Sequence, residues 1–141
     1  DTSLVLDPEG SYPMLVAARV YGNINDPVKQ RLMMEYIFEK FNENPNKYWR
    51  WLAHAVITAK HEIKDQDLAL KYADALATKA TGKNVPYWAK DMKIILLEDM
   101  GEIEAAKLLV GALLESKQIT DPYELNFLLS KIAVLEQKST K

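Results

Sequence analysis

The sequence predicts an all-α protein, an α–α superhelix of about seven helices laid out as three antiparallel pairs and a C-terminal capping helix. Three observations carry that expectation. Four tyrosines, Tyr12, Tyr48, Tyr87 and Tyr123, recur at spacings of 36, 39 and 36 residues, each at or near the start of an amphipathic helical pattern. Pro13, Pro45, Pro86 and Pro122 stand close by. Between these marks, apolar residues return every three or four positions, the spacing of a buried helical face. A period of this length describes one helix–turn–helix unit stacked on its neighbours, because a single pair cannot bury its apolar faces alone.

Composition narrows the function classes. A chain of 141 residues makes one domain with room for a continuous core. Apolar residues at 48% and charged residues at 27% describe a globular protein rather than a disordered or membrane-spanning one. A formal net charge of −2 gives no electrostatic case for nucleic acid. Cysteine is absent, which removes disulfides, zinc–thiolate sites and thiol catalysis together. The apolar runs are too short for a transmembrane helix. Position 1 is Asp rather than Met, so both a cytoplasmic location and export after removal of an upstream segment stay open.

Residues 1–10 read as an extended N-terminal arm carrying Pro8 and Gly10, residues 11–137 as a single helical repeat domain, and residues 138–141 as a polar tail. The first unit pairs a helix from about Tyr12 to Tyr21 with another from Pro27 to Phe41, across a turn at Gly22–Asn25. Asp26-Pro27 supplies an N-cap followed by proline at the first helical position, where its missing N–H costs nothing. Leu32, Met33, Tyr36, Ile37 and Phe41 are the expected buried face. Asn44-Pro45 opens the second unit in the same way. Its first helix, Asn46 to about Ile63, is apolar on two sides (Trp49, Leu52, Ala53 and Val56; Tyr48, Trp51, Ala55 and Ala59), as befits a helix packed against its partner and the next unit at once. Lys64–Asp67 turns the chain, and the partner helix runs to about Ala80, with Gly82 as its C-terminal stop. The third unit runs from Val85 to about Ser116 with a turn at Asp99–Glu102. Asp121-Pro122-Tyr123-Glu124 reads as a capping box, the Glu reaching back to the cap N–H, and opens a last helix to about Glu136.

These units resemble tetratricopeptide repeats. Trp49, Leu52 and Ala53, followed by Ala69, Ala73 and Leu76, match that family's pattern in the second unit. Ala105, Leu109 and Ala112 after the Gly101 turn match it in the third, while Lys90 and Asp91 depart from the first-helix pattern there. The resemblance covers roughly residues 12–136. It implies a concave surface lined by the first helices, binding of a protein or peptide, and an adaptor or assembly role.

The leading site candidate is a polar stripe on the first helix of the second unit. Lys47, Arg50, His54, Thr58 and His61 are three or four residues apart and share one helical side, and Lys90 and Lys93 extend the basic surface. Its natural ligand is an acidic segment or a chain-terminal carboxylate, since Arg50 can pair bidentately with a carboxylate. A single wet side on an otherwise apolar helix accounts for the same residues. His54 and His61 are seven apart, a rise of about 10 Å, too far for one mononuclear metal; His61 with Asp65 reads as an i,i+4 surface pair. Trp49 and Trp88 read as interhelical core, with Trp51 and Tyr48 on the second side. On the last helix Leu125, Leu128, Leu129 and Ile132 make the inward face. Phe127 and Val134 lie round from it, either packed against the tail or forming a patch for a second copy. No phosphate loop, GxSxG or HExxH occurs, so neither an enzyme nor a cofactor is expected. The expected function is a non-enzymatic protein-binding module. The alternative is a structural subunit self-associating, as a homo-oligomer, through the C-terminal helix.

Overall fold

The computed structural model describes residues 26–139. The expected arm, the first helix with its turn, and residues 140–141 lie outside the described residues. Within them every regular element is helical: α1 (Pro27–Glu43), α2 (Pro45–Thr58), α3 (Gln66–Lys79), α4 (Tyr87–Lys90), α5 (Met92–Asp99), α6 (Ile103–Glu115) and α7 (Pro122–Ser139).

Local chemistry sets most boundaries. Asp26 caps α1 by accepting from the Val28 and Lys29 amides at 3.0 and 3.4 Å, with Pro27 at the helix start. One residue, Asn44, separates α1 from α2, so the two helices fold back onto each other. The buried face of α1 is Gln30, Met34, Ile37 and Phe41, whereas Leu32 is 61% exposed. The face is therefore turned from the expected one: Ile37 and Phe41 sit in both sets, and the i, i+4, i+7, i+11 line through them selects Met34 and Gln30.

The helix expected to end at Ile63 does reach that residue, but Ala59–Ile63 winds as a π-helical turn. Lys64 then adopts the left-handed conformation (φ 62°), and the Asp65 amide closes the end on the Ala59 carbonyl at 2.9 Å. Asp65 begins α3 as its N-cap, accepting from the Leu68 amide at 3.0 Å. Gly82 is not a left-handed helix stop. Its amide donates to Asn46 Oδ1 (2.8 Å) and Asn84 donates to the Asn46 carbonyl (2.7 Å), so a Cβ there would lie 2.7 Å from both Asn46 Cγ and Asn84 Oδ1. The close approach of these two side chains favours glycine at this position.

The third unit departs most from expectation. Its first helix is split at Asp91, where the chain takes ψ 11° and the Ile94 amide turns to the Asp91 carbonyl, a tighter i+3 step. The following turn behaves as expected, with Gly101 at φ +80°. Helix α7 opens on Asp121, which accepts from the Tyr123 amide at 2.9 Å.

Each helix packs on its neighbours in the chain: α1 on α2, α2 on α3, α3 on α4 and α5, α5 on α6, and α6 on α7. Two apolar clusters result. One joins α1, α2 and α3 around Phe41, Leu52, Tyr72 and Leu76; the other joins α5, α6 and α7 around Ile94, Val110, Leu128 and Leu135. Leu70 touches both. Full burial of side chains of this size contributes roughly 1.5–3 kcal/mol each. Burial pushes the Tyr72 phenol up to about 12, with the Glu35 charge adding to the rise. Ion pairs tie the layers together: Lys93 to Asp74 at 2.8 Å, Lys60 to Asp99, and Lys131 and Lys138 to Glu98 at 2.8 and 2.5 Å. Among the described residues no helix is long and apolar enough to cross a membrane.

Candidate functional site

Two features of the surface stand out, one along α2 and one beneath α4. The first is the outer line of α2. Lys47, Arg50, His54 and Ile57 follow each other at intervals of three, four and three, and all are exposed. They share one side over a rise of about 15 Å. The opposite sides of the helix are buried through Tyr48, Trp49, Leu52, Ala55 and Val56, which fixes the rotation and holds the stripe outward. Lys47 lies over the Tyr48 ring at 5.3 Å, and the Arg50 guanidinium over the Trp49 ring at 5.4 Å. Trp88 of α4 meets Trp49 edge-on at 5.5 Å and 71°.

The sequence-derived stripe is thus partly rearranged. Lys47, Arg50 and His54 remain together and exposed, whereas Thr58 is buried beside His54 in a crevice of about 10 Å³ against Met33, Met34 and Ile37 of α1. A space of that size holds no more than one water. His61 is exposed but sits in the π-helical turn, whose wider winding carries it off the three-four line. Lys93 is held by Asp74, and Lys90 lies apart at the α4–α5 junction. The expected His61–Asp65 pair gives way to Arg31, which reaches Asp65 at 3.0 Å. The Leu68 amide and then Arg31 hold the Asp65 carboxyl below its usual range.

Sequence reasoning missed two members of this face. Ile57 was legible from register alone, seven residues beyond Arg50. Trp88, read as core, is 50% exposed, with its ring edge-on to Trp49. Trp49, also read as core, is buried, as is Tyr48, while Trp51 is half-buried against the same cluster.

The second feature is a cavity of about 210 Å³ between α3, the α4–α5 junction, α6 and α7. Ile94, Leu109, Leu113 and Ile119 give it apolar walls, and Asp91, Glu124 and Lys90 give it charge. Asp91 is 4% exposed, and its Oδ2 is buried with no donor facing it among the described residues. Glu124 is also buried, and instead of serving a capping box it shares a hydrogen bond with Asp91. A buried carboxyl set beside a second one holds its proton more tightly, and here that group is Asp91. Burial, then the Glu124 hydrogen bond and charge, push Asp91 up to about 8, against the opposing charge of Lys90. The sequence carried a signal for this site: Asp91 stands in register with Tyr87 and Ile94, on the inward side of an apolar run.

On α7 the inward face is Leu128 and Leu135, with Leu125 and Leu129 exposed rather than buried. Phe127 turns in, packing at 5.9 Å on Tyr87, so the outward pair is reduced to Val134. Among the described residues no group of three or more His, Cys, Asp or Glu is disposed to hold a metal ion. No family model, curated protein or solved structure matches the chain.

Proposed function

We propose that the chain is a non-enzymatic interaction module, built of repeated helical hairpins in the manner of a tetratricopeptide superhelix, that captures an acidic protein segment on the outer line of α2. The observation that carries this reading is the exposed Lys47–Arg50–His54–Ile57 line, flanked by Trp88. It combines two cations, an imidazole and an aliphatic anchor with an adjoining tryptophan. Arginine and aromatic residues of this kind supply most of the energy at protein interfaces. The Arg50 guanidinium lies over the Trp49 ring at 5.4 Å and can pair bidentately with a carboxylate. The stripe is basic while the chain as a whole is at −2, so an acidic segment is attracted to this face in preference to others.

The test uses labelled peptides with several Asp and Glu residues around one leucine, and otherwise identical peptides carrying Asn and Gln. Anisotropy should show binding of the acidic series only, weakening as salt is raised. Lys47→Glu with Arg50→Glu should lower affinity at least tenfold, a loss of about 1.4 kcal/mol, with circular dichroism unchanged. Equal binding of the neutral peptides, or an unaffected double variant, refutes the reading. Self-association through the C-terminal helix has weaker support, because Phe127 is turned inward. A mass from light scattering that stays monomeric across concentration removes it.

A further inference from the structure

We infer that the open groove between α6 and α7 is a docking site for a basic amphipathic helix of a partner protein, which lays its apolar side on Leu108, Gly111, Ala112 and Ile132 and its cations on the carboxylates of the rim. The inference is independent of the α2 face. The groove encloses about 490 Å³. Leu108 is 75% exposed there, and Ala105 and Ala112 beside it are exposed too. Leu125 and Leu129 continue the apolar surface along α7, in line with Ile132 at intervals of four and three. Every residue of α6 except Glu104, Lys107, Gly111 and Glu115 is apolar, yet only Ala106 and Val110 are buried. The outer side of a terminal helix pair is polar where water is its only neighbour. This one carries leucine and alanine.

Gly111 is a second, separate sign. Glycine inside a helix is destabilising relative to alanine. Nothing among the described residues calls for it here, because a Cβ built at Gly111 meets no atom within 4 Å. Bare backbone in the floor of a groove lets a second helix axis come close.

Charge decides which helix fits. Glu104, Glu115 and Glu136 stand on the rim against one lysine, Lys107, so three carboxylates and one ammonium leave the lining at −2. Lys107 is drawn to its own rim, 3.8 Å from both Glu104 and Glu136. Glu104 and Glu115 lie about 16 Å apart along the axis of α6, the span of three helical turns. A helix docked alongside therefore finds acceptors for its cations near both ends, with apolar contact between them. A second copy of this chain, meeting the groove about a twofold axis, would instead set carboxylate against carboxylate.

Fluorescence anisotropy tests the inference, using the full chain and a labelled peptide of about four helical turns with leucines at i, i+4, i+7 and i+11 and lysine or arginine elsewhere. One comparison peptide scrambles the same composition; the other keeps the leucines and replaces every cation by glutamate. The basic amphipathic peptide should bind saturably and more weakly as salt rises, and neither comparison peptide should bind. Gly111→Gln fills the floor with an uncharged, helix-favouring side chain and should lower affinity at least tenfold. Glu104→Lys with Glu115→Lys should do the same. Lys47→Glu with Arg50→Glu should leave binding of the basic peptide unchanged, so failure here and failure of the α2 reading are told apart. Light scattering of the chain alone should give a monomer; a dimer that Gly111→Gln dissociates would put a second copy in the groove and overturn the inference. No saturable binding, equal binding of the scrambled peptide, or undiminished binding to either groove variant while it remains folded by circular dichroism overturns it as well.

Discussion

Replacing Asp91 by asparagine should make the protein more stable near neutral pH, and the size of the effect should depend on pH. Folding moves the Asp91 carboxyl from an ordinary value of 3.8 to about 8, chiefly through burial. Between these limits the folded chain holds a proton that the unfolded chain has released, so stability falls as pH rises, by up to about 1.4 kcal/mol per pH unit. At pH 7 this one group costs the folded state about 4 kcal/mol relative to strongly acid conditions, since roughly three pH units separate 3.8 from 7. The amide of Asp91→Asn carries no charge to neutralise and can donate to Glu124, so the variant should recover about 2–4 kcal/mol at pH 7 and much less at pH 5. Asp65 and Glu98, whose pKa values are lowered, act below this window: their contributions hold above the usual carboxylate range and fade only on further acidification. Urea unfolding followed by far-ultraviolet circular dichroism at pH 5, 6, 7 and 8, on both proteins, measures the difference directly. A pH-independent difference between them, or a variant less stable than the parent at pH 7, would refute the placement of a protonated, buried carboxyl at this junction.

Other substitutions probe the frame around the two sites. Leu128→Ala, in the fully buried centre of the α5–α7 cluster, should cost about 2–5 kcal/mol in chemical denaturation, whereas Leu108→Ala, at a side chain 75% exposed, should cost less than about 0.5. Gly82→Ala should destabilise by about 1–2 kcal/mol because the new Cβ displaces the Asn46 and Asn84 side chains; Gly111→Ala, with open space around a helical glycine, should stabilise by about 0.5–1 kcal/mol, both read as shifts in the urea midpoint. Glu98→Gln removes the negative charge and one of the two carboxylate oxygens that accept from Lys131 and Lys138, and should lower stability by about 1–2 kcal/mol at pH 7. That loss should shrink at low pH, as Glu98 protonates in the parent, and at high salt, where Lys138 is screened.

Signals confined to a few neighbouring residues were readable in the chain. Asp26-Pro27, Asn44-Pro45 and Gly101 act through local backbone geometry, and each marks the boundary expected of it. The two-sided burial of α2 follows from its composition, and the outward position of Lys47, Arg50 and His54 follows in turn. What escaped depends on distant partners. The rotation of α1, which exposes Leu32 and buries Met34, is set by packing on α2, since the apolar residues of α1 tolerate more than one phase. The role of Gly82 needs Asn46, 36 residues away. Glu124 sits at a capping-box position by sequence, and only the fold brings it to Asp91, where the expected helix is split.

The binding face is tested most directly by amide and indole chemical-shift mapping of the labelled protein during titration with an acidic, leucine-centred peptide. Perturbations should concentrate on Lys47, Arg50, His54 and Ile57 and on the Trp88 indole N–H. Shifts confined to α6 and α7, or no saturable shifts at all, would contradict the assignment.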